Sequence, residues 1–573
     1  MGVEKTVARG GKTLAHGSVQ ISETVHHCLA GCRKDGKRVT RRSSDLAQLI
    51  PPRGVVGYDV MVHVGLQRFL EFRQREEIRT DLERQHGIAL SSGAISNLGR
   101  RFLAYLEALH WQSATALGAA LASDGGWPLH VDATGEGGRG TMVTAFTSWR
   151  HWVLGAWKIP TERSEFIQPA IERVAAAFGP PVAIMRDLGP AMIEATAGYV
   201  RSLETSIPVL ACHQHFLADI GGDLLETSHN QMRDLFRQIK LLPQLRAFVR
   251  LHGRRLGESI GEGREALDRW LTESGTAQPI PDGVGGITTV RSLAQWVLDY
   301  HADGTGHGFP FDLPWLDLYC RCHHLALATG TFLSRPPADR NVRKALDKLH
   351  SLLRPVECDV PPFTSAGAIL QKRTDLFNRL RAVLRLEDKA PATARKLNDV
   401  RSAIDGLTDS LRTERPRRGP AKDTRQAIDL ILDHLDRHGS HLWGHVIAMP
   451  DGGVRLVART NNDLESFFHT IKQGERRRSG RKILTQDFEA LPPAATLASN
   501  LRHADYVGIV CGSLDRLPEA FAQLDAADRS RSIATSTPLN PISAQTASLS
   551  TMDKRLVRRP VFEDRILAAA QFG

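Results

Sequence analysis

The sequence predicts an α/β fold in which a mixed β-sheet core is interrupted by a large all-helical insertion and preceded by a helical region. Three observations carry that expectation. Between Pro128 and His215 the apolar pattern reads strand, strand, strand, helix, strand, helix, strand. From Phe216 to Val454 the hydrophobic period is helical almost throughout. An amphipathic helix then follows Thr460, with Leu464, Phe467, Phe468 and Ile471 on one stripe, as expected of a helix laid on a sheet.

Length and charge bound the rest. A chain of 573 residues has room for about three or four domains and a sizeable buried core. The formal net charge of +11, from 74 Lys plus Arg against 63 Asp plus Glu, favours a polyanionic partner, nucleic acid first, over a merely soluble basic surface. No run reaches the ~18 apolar residues of a membrane span, and residues 1–30 lack a secretory apolar core. The expected location is the cytoplasm, with no membrane partner. The seven cysteines are then reduced thiols or metal ligands, not a disulfide framework.

In chain order, residues 1–27 are Gly-rich and polar and read as loosely ordered. His26-His27-Cys28 with Cys32 offers half of a zinc site, since C-x3-C falls within the ligand spacing of such sites, but no second pair lies nearby. A degenerate remnant or a plain basic loop explains Cys28 and Cys32 as well. Arg33, Lys34, Lys37, Arg38, Arg41 and Arg42 follow as a basic cluster able to lie on phosphates or simply to face solvent.

Helical periodicity takes over from Val60 to His110. One helix spans Val60–Phe72, a second Glu76–His86 breaks at Gly87, and Ser91 or Ser92 caps a third. That is a helix-turn-helix pattern. It would set the start of the third helix in a major groove, with Asn97, Arg100 and Arg101 as contacts. A small bundle that binds nothing fits the same pattern.

In the core stretch, the apolar run from Pro128 ends at Asp132 and the run Pro181–Asp187 ends at Asp187. Aspartate often follows a strand only to start a turn. Two acids at strand ends of one sheet are, however, a natural seat for a divalent cation. Glu136 is a spare carboxylate that the flanking Gly135–Gly140 mark as a hairpin-turn residue. A third acid arrives on the late helix, where Glu465, His469, Lys472 and Arg476 share a stripe and Arg477, Arg478, Arg481 and Lys482 continue the basic run. Asn462 as N-cap with Glu465 at N3 is also a capping-box spacing, so Glu465 has a bland role available.

At these residues the chain resembles the DDE transposases of bacterial insertion sequences. The resemblance rests on Val-Asp132-Ala-Thr, Met-Arg-Asp187, Cys212-His-Gln-His215 and Thr-Asn-Asn-Asp-Leu-Glu465. It is strongest toward the Mutator-like and related groups, which carry a helical insertion before the catalytic glutamate and a Cys-x-x-His after the fifth strand. It covers residues 60–215 and 455–485. It implies an RNase H-like fold in which Asp132, Asp187 and Glu465 hold two magnesium ions, with manganese as substitute, for cleavage of element ends and attack of the freed 3′-hydroxyl on target DNA. Cys212, His215 and His469 would stand beside that site, and Lys472, Arg476, Arg477, Arg478, Arg481 and Lys482 on DNA. Double-stranded DNA, terminal repeats and target, is the implied partner, and at least a dimer the implied assembly; zinc at Cys28 and Cys32 stays open. The alternatives are an RNase H-like nuclease without strand transfer and a DNA-binding protein that has lost catalysis.

The expected organisation is a basic N-terminal segment over 1–58, a helix-turn-helix domain over 59–112, the core over 125–226 and 455–525, a helical insertion over 227–454, and a flexible tail over 526–573. Within the insertion, Gln278–Gly286 reads as a loop and Arg412–Arg425 as a basic linker. Trp270, Trp296 and Trp315, and the Cys320–His324 group, read as packing residues. Val561–Ala570 reads as a short closing helix.

Overall fold

The computed structural model describes residues 1–534 except 35, 52–53, 138, 274–283, 303, 387–392 and 420. Most of the expected tail, the Val561–Ala570 helix and most of the Gln278–Gly286 loop lie outside the described residues. The chain forms two compact units, one from Met1–Cys212 together with the chain from Gly444 onward, the other from His213–Trp443.

The first unit opens with a long antiparallel hairpin, β1 (Gly2–Thr13) and β2 (Gly17–His27), against the expectation of loose order. Its glycines had hidden an alternation. Val19, Ile21, Glu23 and Val25 occupy every second position, with Val25 and Glu23 buried, and Gly17 at φ +65° makes the turn. Glu23 is paired with Arg42 at 2.9 Å, so one member of the basic cluster is committed inside the unit.

Helices α1 (Tyr58–Gly65, continued by one wide turn Leu66–Leu70), α2 (Arg75–His86) and α3 (Ser92–Gln112) occupy the predicted positions. Gly87 ends α2 in the left-handed region at φ +63°, and the Ser91 hydroxyl accepts from Ala94 N at 3.1 Å to cap α3. These helices share one apolar core with the sheet. Phe102 and Tyr105 lie 5.8 and 5.1 Å from the Phe521 ring, and the Tyr58 and Tyr105 hydroxyls both donate to buried Asp525.

After α4 (Ala114–Ser123) come β3 (Pro128–Glu136), β4 (Arg139–Thr147), β5 (Trp152–Lys158), α5 (Ser164–Phe178), β6 (Ala183–Arg186), α6 (Pro190–Arg201) and β7 (Val209–Ala211). They make a mixed five-stranded sheet in the order β7-β6-β3-β4-β5, with β7, β6 and β3 parallel and β3, β4 and β5 antiparallel. Alternation sorts the side chains. Leu129, Val131 and Ile184 enter the main core, while Ala183, Met185, Leu210 and Cys212 pack with Val457 in a separate cluster. The edge strand β5 is covered: the Asn500 amide accepts from Val153 N and donates to Val153 O, both at 2.8 Å.

The second unit contains, among its described residues, eight α-helices, a 3-10 turn Gly439–His441 and no strand: α7 (His213–Gln238), α8 (Leu241–Glu273), α9 (Val284–Leu298), α10 (Pro314–Ser334), α11 (Arg340–Glu357), α12 (Phe363–Leu384), α13 (Ala394–Glu414) and α14 (Lys422–His438). It begins and ends earlier than the expected 227–454 because α7 starts directly behind β7. Its buried stripe, Phe216, Leu217, Ile220, Leu224 and Leu225, runs unbroken into the segment read as core. The expected linker Arg412–Arg425 instead includes, among its described residues, the end of α13 and the start of α14.

The chain returns to the first unit through a hairpin, β8 (Val446–Ala448) and β9 (Val454–Leu456), then α15 (Asn462–Ser479), α16 (Thr485–Ala490), a 3-10 stretch Pro493–Arg502, α17 (Ala504–Val510) and α18 (Leu517–Ala534). Because α18 is helical to Ala534, the tail expected from residue 526 is helix over its first part. No helix among the described residues is long and apolar enough to cross a membrane.

Candidate active site

Strand register brings the predicted acids toward one row. Leu129 pairs with Ile184 and His130 with Met185 across β3 and β6, while Leu210 pairs with Met185 and Ala211 with Arg186 across β7 and β6. Two steps further along β3 and one step past β6 and β7, Asp132 and Cys212 flank Asp187. Cys212 N donates to Arg186 O at 2.8 Å, which carries the β6–β7 pairing to that row. Parallel neighbours stand about 4.8 Å apart, and residues in one row share a face. Asp132 is therefore on the face opposite Leu129 and Val131, with His130 two residues before it.

The aspartates are held by nearby backbone amides. Asp187 begins the turn after β6, whereas β3 does not end at Asp132 as expected but runs on to Glu136, with Asp132 paired to Thr144 across β4. Asp132 is buried, and its carboxylate accepts from Ala133 N at 2.7 Å. Asp187 is half-buried and accepts from Gly189 N at 3.1 Å, in front of α6. Arg186 is 2 % exposed and donates to the Asp187 carbonyl at 2.8 Å. Burial holds the Arg186 pKa down, and the Asp187 charge pulls it partly back. The sequence reading missed Glu162, whose carboxyl is pushed up first by burial and then by Asp187, which places a fourth acid in the neighbourhood.

The late helix starts one residue earlier than its capping-box spacing required. Asn461 is the N-cap, so Glu465 falls one position beyond N3, and its amide makes the first helical bond to Asn461 O at 2.9 Å. The Asn461 side chain makes no capping bond; fully buried, its Oδ1 meets His130 Nδ1 at 2.9 Å. Asn461 N in turn donates to Cys212 Sγ at 3.4 Å. Leu464, Phe468 and Ile471 are buried in the main core, as the periodicity required. With its base tied to β3 and β7, α15 carries Glu465 to the sheet, a carboxylate oxygen lying within 4.8 Å of Cys212 Sγ.

Burial keeps the imidazoles here neutral. His130 is held down to about 4 by desolvation, and His445 to about 3 by desolvation and then by the Arg459 charge. A neutral His130 with its proton on Nδ1 is the donor that Asn461 Oδ1 needs. This contact could have been anticipated in part: period two sets His130 on the Asp132 face. His215 stands in the first turn of α7, in the helical unit, and His469 is exposed on α15 with Gln473 Nε2 3.3 Å away.

Much of the cationic stripe is already engaged. Lys472 donates to Gly135 O at 2.7 Å and lies 3.5 Å from Glu136, and Arg476 lies 3.4 Å from the same carboxylate. Glu136, read as a turn residue, is thus the anchor that ties α15 to the β3–β4 hairpin. Arg478 pairs at 2.5 Å with buried Glu475 and stacks over Phe69 at 4.9 Å. Arg481 pairs with Asp487 at 3.3 Å, while Arg477 and Lys482 are exposed. On α3, Asn97 and Arg100 are exposed and bonded to each other, and Arg101 is half-buried.

Asp132, Asp187 and Glu465 bring only hard oxygen donors, which suit magnesium in kind. Their donor atoms do not form a group drawn within 4.8 Å of one another. Two ions ~4 Å apart, each held by part of the set, do not require such a group. Cys28 and Cys32 bring their sulfurs to 3.1 Å, and no group of three close donors among the described residues includes them. Compared with protein-family models and with curated protein sequences, the chain matches none.

Proposed function

We propose that this protein is a DNA transposase of the DDE type, with an RNase H-like catalytic core interrupted by the His213–Trp443 helical unit. One observation carries the reading: the sheet order β7-β6-β3-β4-β5 sets Asp132, midway along β3, and Asp187, one residue past the end of β6, in one row, and α15 delivers Glu465 to Cys212 in that row. Those are the acids that the sequence singled out from three stretches of chain, the last of them 278 residues after Asp187.

Asp132, Asp187 and Glu465 would hold two magnesium ions, which supply activation of the attacking oxygen and stabilisation of the leaving one in an in-line phosphoryl displacement. The chain's own part is placement. Bonds from Ala133 N within β3 and from Gly189 N in the turn after β6 hold the aspartates, and the His130–Asn461 bond fixes the origin of the helix that carries Glu465. Exposed Arg477, Lys482 and Arg100 remain for phosphates, and the net charge of +11 favours approach to DNA. Water as nucleophile cuts an element end; the freed 3′-hydroxyl in the same position joins it to target DNA.

The test is excision and joining on the element's terminal repeats with magnesium. Full joining by Asp187→Asn would sink the mechanism. Cleavage without joining would establish a nuclease instead.

A further inference from the structure

The helical unit holds a second group of donors unrelated to the acids above. Asp219 and Asp223 stand four residues apart on α7, and His434 and His438 four apart on α14, which packs against it. That spacing puts each pair on one helix face. The donor atoms of Asp219, His434 and His438 all lie within 4.8 Å of one another. Both histidines are buried, at 4 % and 6 % exposure, and Asp219 is exposed.

The two nitrogens of His434 are in different situations. Nε2 lies 3.0 Å from Asp223 Oδ2, a hydrogen bond; Nδ1 is buried, has no hydrogen-bond partner, and faces Asp219 Oδ2 at 3.5 Å. An imidazolium clamped between two aspartates would bring both contacts to the 2.7–3.2 Å of N–H···O bonds. Two ligands of a tetrahedral ion on ~2.1 Å bonds stand roughly 3.4 Å apart, which the Nδ1–Asp219 distance meets. A carboxylate on the far nitrogen, holding the proton there and leaving the other lone pair for metal, is the usual support of a ligating histidine.

We propose that Asp219, His434 and His438 bind one zinc ion per chain, with Asp223 orienting His434 and a water in the fourth position on the exposed Asp219 side. Two imidazoles and one carboxylate suit zinc among divalent ions and do not suit magnesium or calcium. The ion joins the first and last helices of the unit, whose ligands are more than 200 residues apart in sequence, and so braces the unit where its chain enters and leaves. The assignment is independent of the transposase reading.

The experiment titrates zinc into chelator-treated full-length protein carrying Cys28→Ser and Cys32→Ser, with magnesium in excess, by calorimetry, and repeats it with cobalt to read the absorption of the bound ion. One zinc per chain is expected, with a raised melting temperature. His434→Gln/His438→Gln should lose the site. Asp223→Asn should keep the stoichiometry but weaken binding about 10–100-fold, the scale for removing a ligand's supporting carboxylate. Asp132→Asn and Glu465→Gln should bind zinc as the parent does. Unchanged zinc affinity in the double histidine variant or in Asp223→Asn, or no zinc binding by the parent, would overturn the assignment. Asp223→Asn removes a mostly exposed group, so it remains informative if the double variant fails to fold.

Discussion

Replacing Asn461 by alanine tests whether the Glu465 helix is fastened to the sheet as described. The substitution removes the acceptor 2.9 Å from His130 Nδ1, and both residues are fully buried. Leaving that N–H without a partner costs about 1–3 kcal/mol. No capping penalty adds to it, because the Asn461 side chain makes no capping bond. At ~2.1 cal/mol/K per residue over roughly 300 residues, a loss of about 2 kcal/mol lowers the melting temperature by about 3 °C. Thermal and urea unfolding measure it. Asn462→Ala, at the exposed neighbouring position, is the control and should stay within about 0.5 kcal/mol. Asn461→Ser separates the two roles, since serine caps helices well but is too short to replace the amide at His130. Equal stabilities for the two alanine variants, or full rescue by serine, would refute the His130 anchor.

Other outcomes follow from the same geometry. Asp132→Asn, Asp187→Asn and Glu465→Gln should each lower magnesium-dependent joining by at least about 100-fold, the scale of losing one group that stabilises developing charge, with little change in melting temperature; joining kinetics and thermal unfolding check this together. Burial holds His110 and His130 down to about 4 and His445 to about 3, against an ordinary value of 6.5. Below pH 6.5 the unfolded chain therefore binds more protons than the folded one, and stability falls as pH drops from 6.5 toward 4. The slope is about 1.4 kcal/mol per pH unit for each histidine fully protonated only when unfolded. Urea midpoints that stay flat between pH 6.5 and 5 would contradict it. Arg477→Ala and Arg100→Ala should each reduce the salt slope of DNA binding by about one, whereas Arg478→Ala, whose partner is buried Glu475, should destabilise the fold and leave that slope unchanged.

The legible parts of this chain are those written in local periodicity. Strands and helices from Pro128 to Cys212 fell within a few residues of their predicted places, because apolar alternation and the 3.6-residue stripe are properties of neighbouring residues. The same holds for Leu464, Phe468 and Ile471 on α15. Local patterns misled where composition masked them, as in the N-terminal hairpin, whose glycines read as disorder. They also misled where a spacing had two meanings, as at Asn462 and Glu465.

Sequence alone determined the kinds of donor, their order and the faces they occupy within each element. The tertiary structure decided what each meets. His130 finds Asn461 across 331 residues and His434 finds Asp223 across 211, and Glu136 takes two of the cations that the sequence had assigned to DNA. Such partners are set by how strands register and helices pack, which depends on the summed burial of the whole core, and no local pattern encodes that sum.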